Sequence, residues 1–332
     1  MDPLTHGLVG ATSAQLFADK QKFRLASLIG GIAALAPDLD IFLGPSSDPL
    51  LTLELHRHFT HSLLFIPTGS LIVAGICWWF VKSKLSFKET YLFSVCGYVT
   101  AGFMDVVTSY GVHLFWPFTE ARFSLDIVSV FDPLFTVALL ILFLLAVFKV
   151  EKKWTVITAF WVISYFGFAA IQQHRATEIA VNHIQEQHPD YEQLIIKPTI
   201  ANQVLWSARF IDDSEVCAIG IRVGIFSNPY AIPGECVPLL DWKTSFAQYQ
   251  GTVLYDDISR FDALSSDYLV LHPNHPNVIG DARYSMLPTT IAPLWGITID
   301  TASTNNHVNF DNYRDTSKET REAFLEMVFP SN

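Results

Sequence analysis

Long uncharged runs of apolar residues dominate the first half of the chain. Three of them, at 63–81, 133–148 and 155–171, contain no Asp, Glu, Lys or Arg. Each approaches the roughly 20 apolar residues with which a helix crosses about 30 Å of hydrocarbon. Two further runs, 25–43 and 90–110, are apolar but carry aspartates near their C-terminal ends. The pattern predicts five membrane spans, and a sixth if the weaker run 3–19 also crosses.

The run 3–19 differs from the others because it is rich in Gly, Ala, Ser and Thr. Such small residues suit close packing against other helices better than contact with lipid. Pro3 is favourable in a first helical turn, and Asp2 before it can serve as the N-cap. We therefore expect a helix here that is packed among its neighbours.

The hydrophobic pattern changes near residue 172. Residues 172–188 are typical of an amphipathic helix that continues from the last span. Short β-type runs follow, separated by Pro, Asn, Asp and Gly. The predicted fold is an α-helical membrane domain at 1–171, a connecting helix at 172–188, and a small β-rich domain at 189–332.

The basic residues of the short loops predict the orientation. Three alternate loops, at 20–24, 82–88 and 149–153, carry three Lys or Arg each, whereas the intervening loops 44–60 and 111–130 carry one each. Because basic loops stay in the cytoplasm, this bias predicts a multi-pass membrane protein whose loops 20–24, 82–88 and 149–153 are cytoplasmic. The β-rich domain then lies on the extracytoplasmic side.

Composition agrees with a membrane protein and argues against nucleic acid as a partner. Half of the 332 residues are hydrophobic, 16% are charged, and the net charge is −11. The excess of acidic residues lies in the second half, so no basic patch is available for nucleic acid. Four cysteines are too few for a disulfide scaffold. Cys217 and Cys236 could pair in an oxidising compartment or remain as two free thiols, and spacing alone does not decide between these alternatives.

Ionisable residues at membrane depth are costly and call for a functional explanation. The residues in question are His6, Asp38, Asp40, His56, His61 and Asp105. Imidazole and carboxylate together suit zinc or manganese, and several carboxylates could bridge two or more ions. We therefore predict a divalent metal site, with zinc preferred and manganese as the alternative.

Local sequence suggests how these residues reach one site. Pro37 predicts a distorted segment, in which Asp38 and Asp40 turn to the same side although they are two residues apart. Thr60 is a candidate N-cap for a helix whose first turn would hold His61. The alternative reading is that the two aspartates only end a helix.

The remaining histidines are predicted to have structural roles. We expect His58 and His113 to be loop or interface residues, and His272 and His275 to lie in a turn. Three others fit the solvated face of the connecting helix: His174, His183 and His188. Asp126 and Asp132 either cap helices, pair with Arg122 or support the site.

Several segments together resemble a known family from end to end. They are MDPLTHGLVG, APDLD, HRHFTHSLL, DVVTSYGVHLFWPF, DIVSVFDPLFT and IGDARYSMLP with PLWGI. In order and spacing they resemble the YdjM-like family of membrane-bound proteins, which are regarded as metal-dependent hydrolases. That family is distantly similar to zinc-dependent phospholipase C and P1-type nucleases. The resemblance implies metal ligation by His6, Asp38 and/or Asp40, His56, His61 and Asp105, and it does not call for histidine at position 58.

One position departs from the family pattern. The family commonly has a histidine four residues before the aspartate of the fourth motif, where this chain has Ala101. A helical pair of ligands is therefore lost, which weakens the case for catalysis more than the case for metal binding. His113, after a turn at Gly111, is the candidate substitute.

The sequence is compatible with three functions. The first is a hydrolase that cleaves an ester or phosphoester of a membrane lipid or lipid-linked substrate at the outer surface, with Asp38 or Asp40 bridging metals or acting as general base. The second is a non-catalytic, metal-stabilised scaffold or regulatory protein whose protein partner the sequence does not identify. The third, a transporter, is disfavoured because the polar groups cluster at one face of the membrane.

Overall fold

The structure is a computed structural model that describes residues 1–225 and 227–330. The chain divides into two compact units. The first unit comprises Met1–Leu43, Leu55–Ile171 and Ile200–Asn202, and the second comprises Gly44–Glu54, Gln172–Thr199 and Gln203–Asn332. The last two residues of the predicted β-rich domain, 331–332, lie outside the described residues.

The first half of the chain is helical. Its helices are α1 (Pro3–Leu16), α2 (Phe23–Leu35), α3 (Pro49–Leu55), α4 (Ile66–Val81), α5 (Phe87–Val106), α6 (Pro133–Lys149) and α7 (Lys152–Gln187). Helix α1 begins as the sequence predicts, since the Asp2 carboxylate accepts a hydrogen bond from the Thr5 backbone N–H at 3.0 Å.

Helices α1, α2 and α5 approach one another so closely that their contacts require glycine. A Cβ atom at Gly10 would lie 2.6 Å from the carbonyl oxygen of Gly30, and one at Gly97 would lie 2.0 Å from that same oxygen. Both distances are far below van der Waals contact, so a methyl group would push the backbones apart. This confirms the expectation that the small residues of α1 serve helix packing.

Three described helical segments are long and apolar enough to cross a membrane. They are Phe23–Phe42, Leu63–Val81 and Lys152–Gln187, and Pro133–Lys149 is a shorter apolar helix. The predicted runs 3–19 and 90–110 became α1 and α5, which are not among the three. Helix α1 has 14 residues and so extends only about 21 Å, short of the bilayer core. The predicted count of five or six spans therefore stays a prediction.

Helix α7 runs without interruption for 36 residues. The predicted last span and the predicted amphipathic segment 172–188 are thus parts of one helix. Within the second unit, Ala176, Ala180 and Ile184 of α7 are buried against the first sheet of the C-terminal domain.

The C-terminal domain contains two four-stranded antiparallel sheets. The first has the order β1 (Gln193–Pro198), β2 (Leu205–Asp212), β3 (Glu215–Arg222) and β4 (Tyr230–Pro238). The second has the order β5 (Leu269–His272), β6 (His275–Asp281), β7 (Trp295–Thr298) and β8 (Asn309–Asn312). Three helices complete the domain, namely α8 (Trp242–Ser245), α9 (Val253–Ser265) and α10 (Lys318–Val328). The β-rich character expected from the sequence is confirmed.

A disulfide joins the two cysteines whose pairing the sequence left open. Cys217 of β3 and Cys236 of β4 face each other across the antiparallel pair and are bonded. Cys77 and Cys96 are free thiols in the helical part and are buried.

A fully buried arginine joins the first sheet to the loop that follows β6. The guanidinium of Arg209 in β2 donates to the carbonyl oxygens of Ala282 at 3.1 Å, Pro288 at 2.7 Å and Thr290 at 2.9 Å. Burial lowers the pKa of Arg209 to about 10, whereas Glu235 acts to raise it. The side chain therefore remains charged at neutral pH, and its planar fork reaches several acceptors at once.

We predict that Arg209→Met lowers the thermal unfolding midpoint of the full-length chain. The substitution leaves several buried carbonyl oxygens without donors, at a cost on the order of 3 kcal/mol. Thermal denaturation in detergent measures the shift. Arg314→Met is the matched control because Arg314 is exposed, and equal midpoints for the two variants would contradict the role of Arg209.

Candidate metal centre

The segment after α2 brings two aspartates to opposite edges of one imidazole ring. Residues Pro37–Phe42 form a 3₁₀ helix, which is the irregular segment that Pro37 predicts. Asp38 Oδ1 lies 3.3 Å from His61 Nε2, and Asp40 Oδ2 lies 3.4 Å from His61 Nδ1. The two carboxylates thus reach the same site without sharing one face of a regular helix.

His61 itself lies in a short 3₁₀ turn, Phe59–His61, and not in the first turn of an α-helix. The prediction that Thr60 caps that helix is therefore wrong. Helix α4 begins only at Ile66. Pro67 lies in its first turn, where proline is well tolerated. The Thr60 hydroxyl instead donates to Asp40 Oδ2 at 2.6 Å.

Asp105, near the C-terminal end of α5, completes a group of three side chains. Its Oδ2 atom lies 3.3 Å from His61 Nε2, and its side chain is fully buried. Asp38, His61 and Asp105 each offer a ligand atom, and these atoms all lie within 4.8 Å of one another. We call these three residues the His61 group.

The His61 group has the chemistry of a metal site. Among residues 1–225 and 227–330, His61 Nε2 and Asp105 Oδ2 are buried and complete no hydrogen bond. Buried polar atoms are normally satisfied, and these two face each other beside a second carboxylate, that of Asp38. An imidazole nitrogen and two carboxylates suit zinc or manganese, so the donor set fits such an ion.

The other oxygen of Asp105 is surrounded by nitrogen atoms. His6 Nε2 lies 3.2 Å and Arg57 Nη2 lies 3.1 Å from Asp105 Oδ1, and the Met1 amino group contacts the same oxygen. His6 Nδ1 is buried and has no hydrogen-bond partner among the described residues. His6 is thus adjacent to the His61 group, although it is not one of the three.

His56 and Asp40 form a supporting pair beside the group. His56 Nδ1 lies 2.7 Å from Asp40 Oδ1, and the centroids of the His56 and His61 rings are 6.4 Å apart. The structure therefore brings all six predicted residues into one region. It gathers only Asp38, His61 and Asp105 closely, while His6, Asp40 and His56 contact members of that group.

Arg57 also lies in this region, although in the sequence it indicates only the predicted topology. Its backbone has φ +61, in the left-handed region, and its N–H donates to Asp40 Oδ2 at 2.9 Å. Its guanidinium meets Asp105 and lies 5.6 Å from the Tyr110 ring centroid. The available signal was an arginine between two histidines beside an apolar run, because a guanidinium that becomes buried there needs a carboxylate partner.

The candidate substitute for the missing family histidine lies in a different group. Ala101 is fully buried one turn before Asp105. His113 contacts His58, with ring centroids 4.5 Å apart, and accepts a hydrogen bond from Arg122 Nε at 3.2 Å. Burial, with Arg122 beside it, lowers the pKa of His113 to about 4 and keeps the ring neutral. The His61 group does not include His113.

Two further clusters of potential ligands are present among the described residues. One comprises His58, His113 and Glu120. The other lies in the second unit, where an arginine already neutralises its charge. Asp48, Asp257 and His307 come within 4.8 Å. Arg260 lies 3.1 Å from Asp48 Oδ2 and 2.8 Å from both Glu54 Oε1 and Asp257 Oδ1. The carboxylates therefore have a counter-charge, unlike the orphaned atoms of the His61 group.

Comparison with known proteins points to one family. The family model described as YdjM inner membrane protein matches residues 1–176, more than half of the 332 residues. The uncharacterized protein YfhP of Bacillus subtilis (strain 168) is 24% identical over 208 residues. This match covers 60% of the chain and 62% of the relative, which is less than two thirds of the relative's length. No solved structure matches the chain.

We predict that His61→Ala removes bound metal and lowers the thermal midpoint, because a ligand that binds only the folded state stabilises it. His56→Ala should lower both quantities less, since His56 orients Asp40. Elemental analysis of detergent-purified protein measures the metal. His58→Ala is the matched control and should retain it, and loss of metal in His58→Ala with retention in His61→Ala would contradict the assignment.

Proposed function

Because the chain belongs to the YdjM inner membrane protein family, we propose that it is a membrane-bound, metal-dependent hydrolase. Its substrate is an ester or phosphoester of a lipid or lipid-linked molecule at the outer membrane surface. The observation that carries the proposal is the His61 group, in which a buried imidazole meets two carboxylates. The family assignment supports the membrane location, and the chemistry of the side chains supports the reaction class.

The residues of the site have separable roles in this proposal. Asp38, His61 and Asp105 would hold a zinc or manganese ion, which supplies Lewis-acid polarisation of the ester and lowers the pKa of water. The Asp38 side chain is 25% exposed, whereas those of His61 and Asp105 are fully buried. Asp38 is therefore the carboxylate best placed to accept a proton as general base.

Asp40 is better suited to positioning than to proton transfer. Its two oxygens accept hydrogen bonds from the Arg57 backbone N–H and the Thr60 hydroxyl, and they contact His56. Its side chain is fully buried. Of the two aspartates that the sequence suggests as catalytic, Asp38 is thus the base and Asp40 fixes the orientation of His61.

Two observations support an extracytoplasmic C-terminal domain. The loops 20–24, 82–88 and 149–153 carry the basic residues that stay in the cytoplasm. The Cys217–Cys236 disulfide belongs to the other side, because disulfides persist in oxidising compartments. The proposed site then faces the outer surface of a bacterial inner membrane.

A non-catalytic, metal-stabilised scaffold is the second candidate function. Ala101 stands where the family commonly has histidine. The guanidinium of Arg57 already neutralises part of the charge of Asp105. Both observations favour a site that holds the helices together without turning over a substrate, with a partner protein still to be identified.

Turnover separates the two functions. We predict that the purified protein hydrolyses a phosphodiester lipid, that chelation abolishes the activity, and that zinc or manganese restores it. Asp38→Asn removes both a proposed metal ligand and the proposed general base, so it should lower kcat by about 100-fold or more. Asp19→Asn, at an exposed position, is the control. Metal-dependent thermal stability without any turnover would favour the scaffold.

Impermeant thiol labelling of intact cells tests the orientation. We predict that a cysteine in Asp311→Cys reacts from outside and that one in Lys84→Cys does not. Both positions are exposed, whereas Cys77 and Cys96 are buried and Cys217 and Cys236 are bonded, so the background is low. The reverse labelling pattern would place the site in the cytoplasm.

A further inference from the structure

An apolar pocket of about 250 Å³ lies in the first unit. It is lined by Leu63, Leu64, Leu114, Phe115, Trp116 and Phe118. These residues come from two segments, the start of the candidate span Leu63–Val81 and the loop after α5. A hydrogen bond from the Leu63 backbone N–H to the Leu114 carbonyl oxygen, 2.9 Å long, joins the two segments.

Exposed apolar side chains occur both at the pocket and along the span that begins there. Phe118 is 83% and Leu64 is 57% exposed at its mouth. Further along the same span, the exposed apolar side chains are Leu71, Ile72, Ile76, Trp79 and Phe80. A surface of this kind is unfavourable in water. In an inner membrane protein it faces lipid, so the pocket opens where the lipid-facing surface of the span begins.

The pocket lies close to the backbone segment that carries His61. His61 precedes Leu63 by two residues, and Gly102 in α5 lies against both the His61 backbone and the Leu114 side chain. A Cβ atom there would lie 2.7 Å from the His61 carbonyl oxygen and 3.5 Å from Leu114 Cδ1. A molecule in the pocket therefore lies beside the segment that holds His61.

The apolar lining of the pocket favours a hydrocarbon chain over a peptide as its ligand. All six lining residues are apolar. A peptide would bring backbone N–H and C=O groups that this lining leaves without partners, at a cost for each group. A hydrocarbon chain brings no such groups and gains from contact with the leucine and aromatic side chains.

We propose that this pocket binds one acyl chain of a membrane lipid whose polar ester lies beside His61. The substrate class is then an acyl-chain lipid, taken from the bilayer through the opening between Leu64 and Phe118. The role of that lipid as substrate rests on the proposed hydrolase function, whereas its binding does not.

Photocrosslinking in lipid nanodiscs tests the binding. The probe is a phosphatidylcholine with a diazirine in its acyl chain, and mass spectrometry locates the labelled residues. We expect label at 115–118 as well as at the lipid-facing residues 76–80. Leu64→Trp, which narrows the opening, should lower the label at 115–118 by roughly tenfold, equivalent to about 1.4 kcal/mol of lost binding. The label at 76–80 should stay unchanged.

Leu71→Trp is the matched control, because it makes the same change at an exposed position of the same span outside the pocket. It should leave both labelled regions unchanged. Phe118→Ser, which removes the most exposed pocket side chain, is a second variant and should also lower the label at 115–118. Label at 115–118 that neither Leu64→Trp nor Phe118→Ser lowers would overturn the proposal, as would the absence of lipid label at 115–118 when the residues 76–80 are labelled.

The failure of this inference is distinguishable from the failure of the proposed function. Labelling uses intact lipid and requires no turnover. If the protein shows no hydrolase activity but Leu64→Trp lowers its lipid label at 115–118, the acyl-chain site is supported and the hydrolase function is contradicted. If the protein is an active hydrolase but neither pocket variant lowers the lipid label at 115–118, only the acyl-chain site is contradicted.

Discussion

The buried carboxylate of Asp105 is the constraint on which the arrangement of the first unit depends. A carboxylate removed from water costs several kcal/mol unless other charges and hydrogen bonds compensate it. Here the compensation comes from the Met1 amino group, from His6 in α1, and from Arg57 in the loop before α4. Each partner is far from Asp105 along the chain, so one charge determines where three segments meet.

Close helix packing makes that convergence geometrically accessible. The backbone of Gly30 in α2 contacts Gly10 of α1 and Gly97 of α5 at distances that only glycine tolerates. The same three helices carry His6, the 3₁₀ segment of Asp38 and Asp40, and Asp105. Small residues therefore determine the spacing of the helices, and the polar residues near the helix ends become neighbours as a consequence.

The segment that carries His61 also supplies the first two residues of the apolar pocket, Leu63 and Leu64. The 3₁₀ turns at Phe59–His61 and Leu63–Phe65 carry His61 and the first pocket residue, after which α4 begins. His61 of the ionisable centre and Leu63 of the apolar pocket thus lie two residues apart. This juxtaposition is what an enzyme needs if its substrate has a polar ester and a hydrocarbon chain.

Local sequence determined the elements of this protein, while long-range contacts decided the site. Apolar runs predicted the helices, Asp2 and Pro3 predicted the start of α1, and His or Asp at the ends of those runs predicted which residues gather. These features depend on neighbours a few residues apart, and the hydrophobic periodicity of the sequence reflects them.

The tertiary structure alone decided that Asp38 and Asp40 face opposite nitrogens of His61, that Arg57 contacts Asp105, and that His113 lies beside His58. It also decided that Cys217 pairs with Cys236, because strand register placed them opposite each other. Those contacts depend on how whole elements pack, and the order of residues within one element does not contain that information.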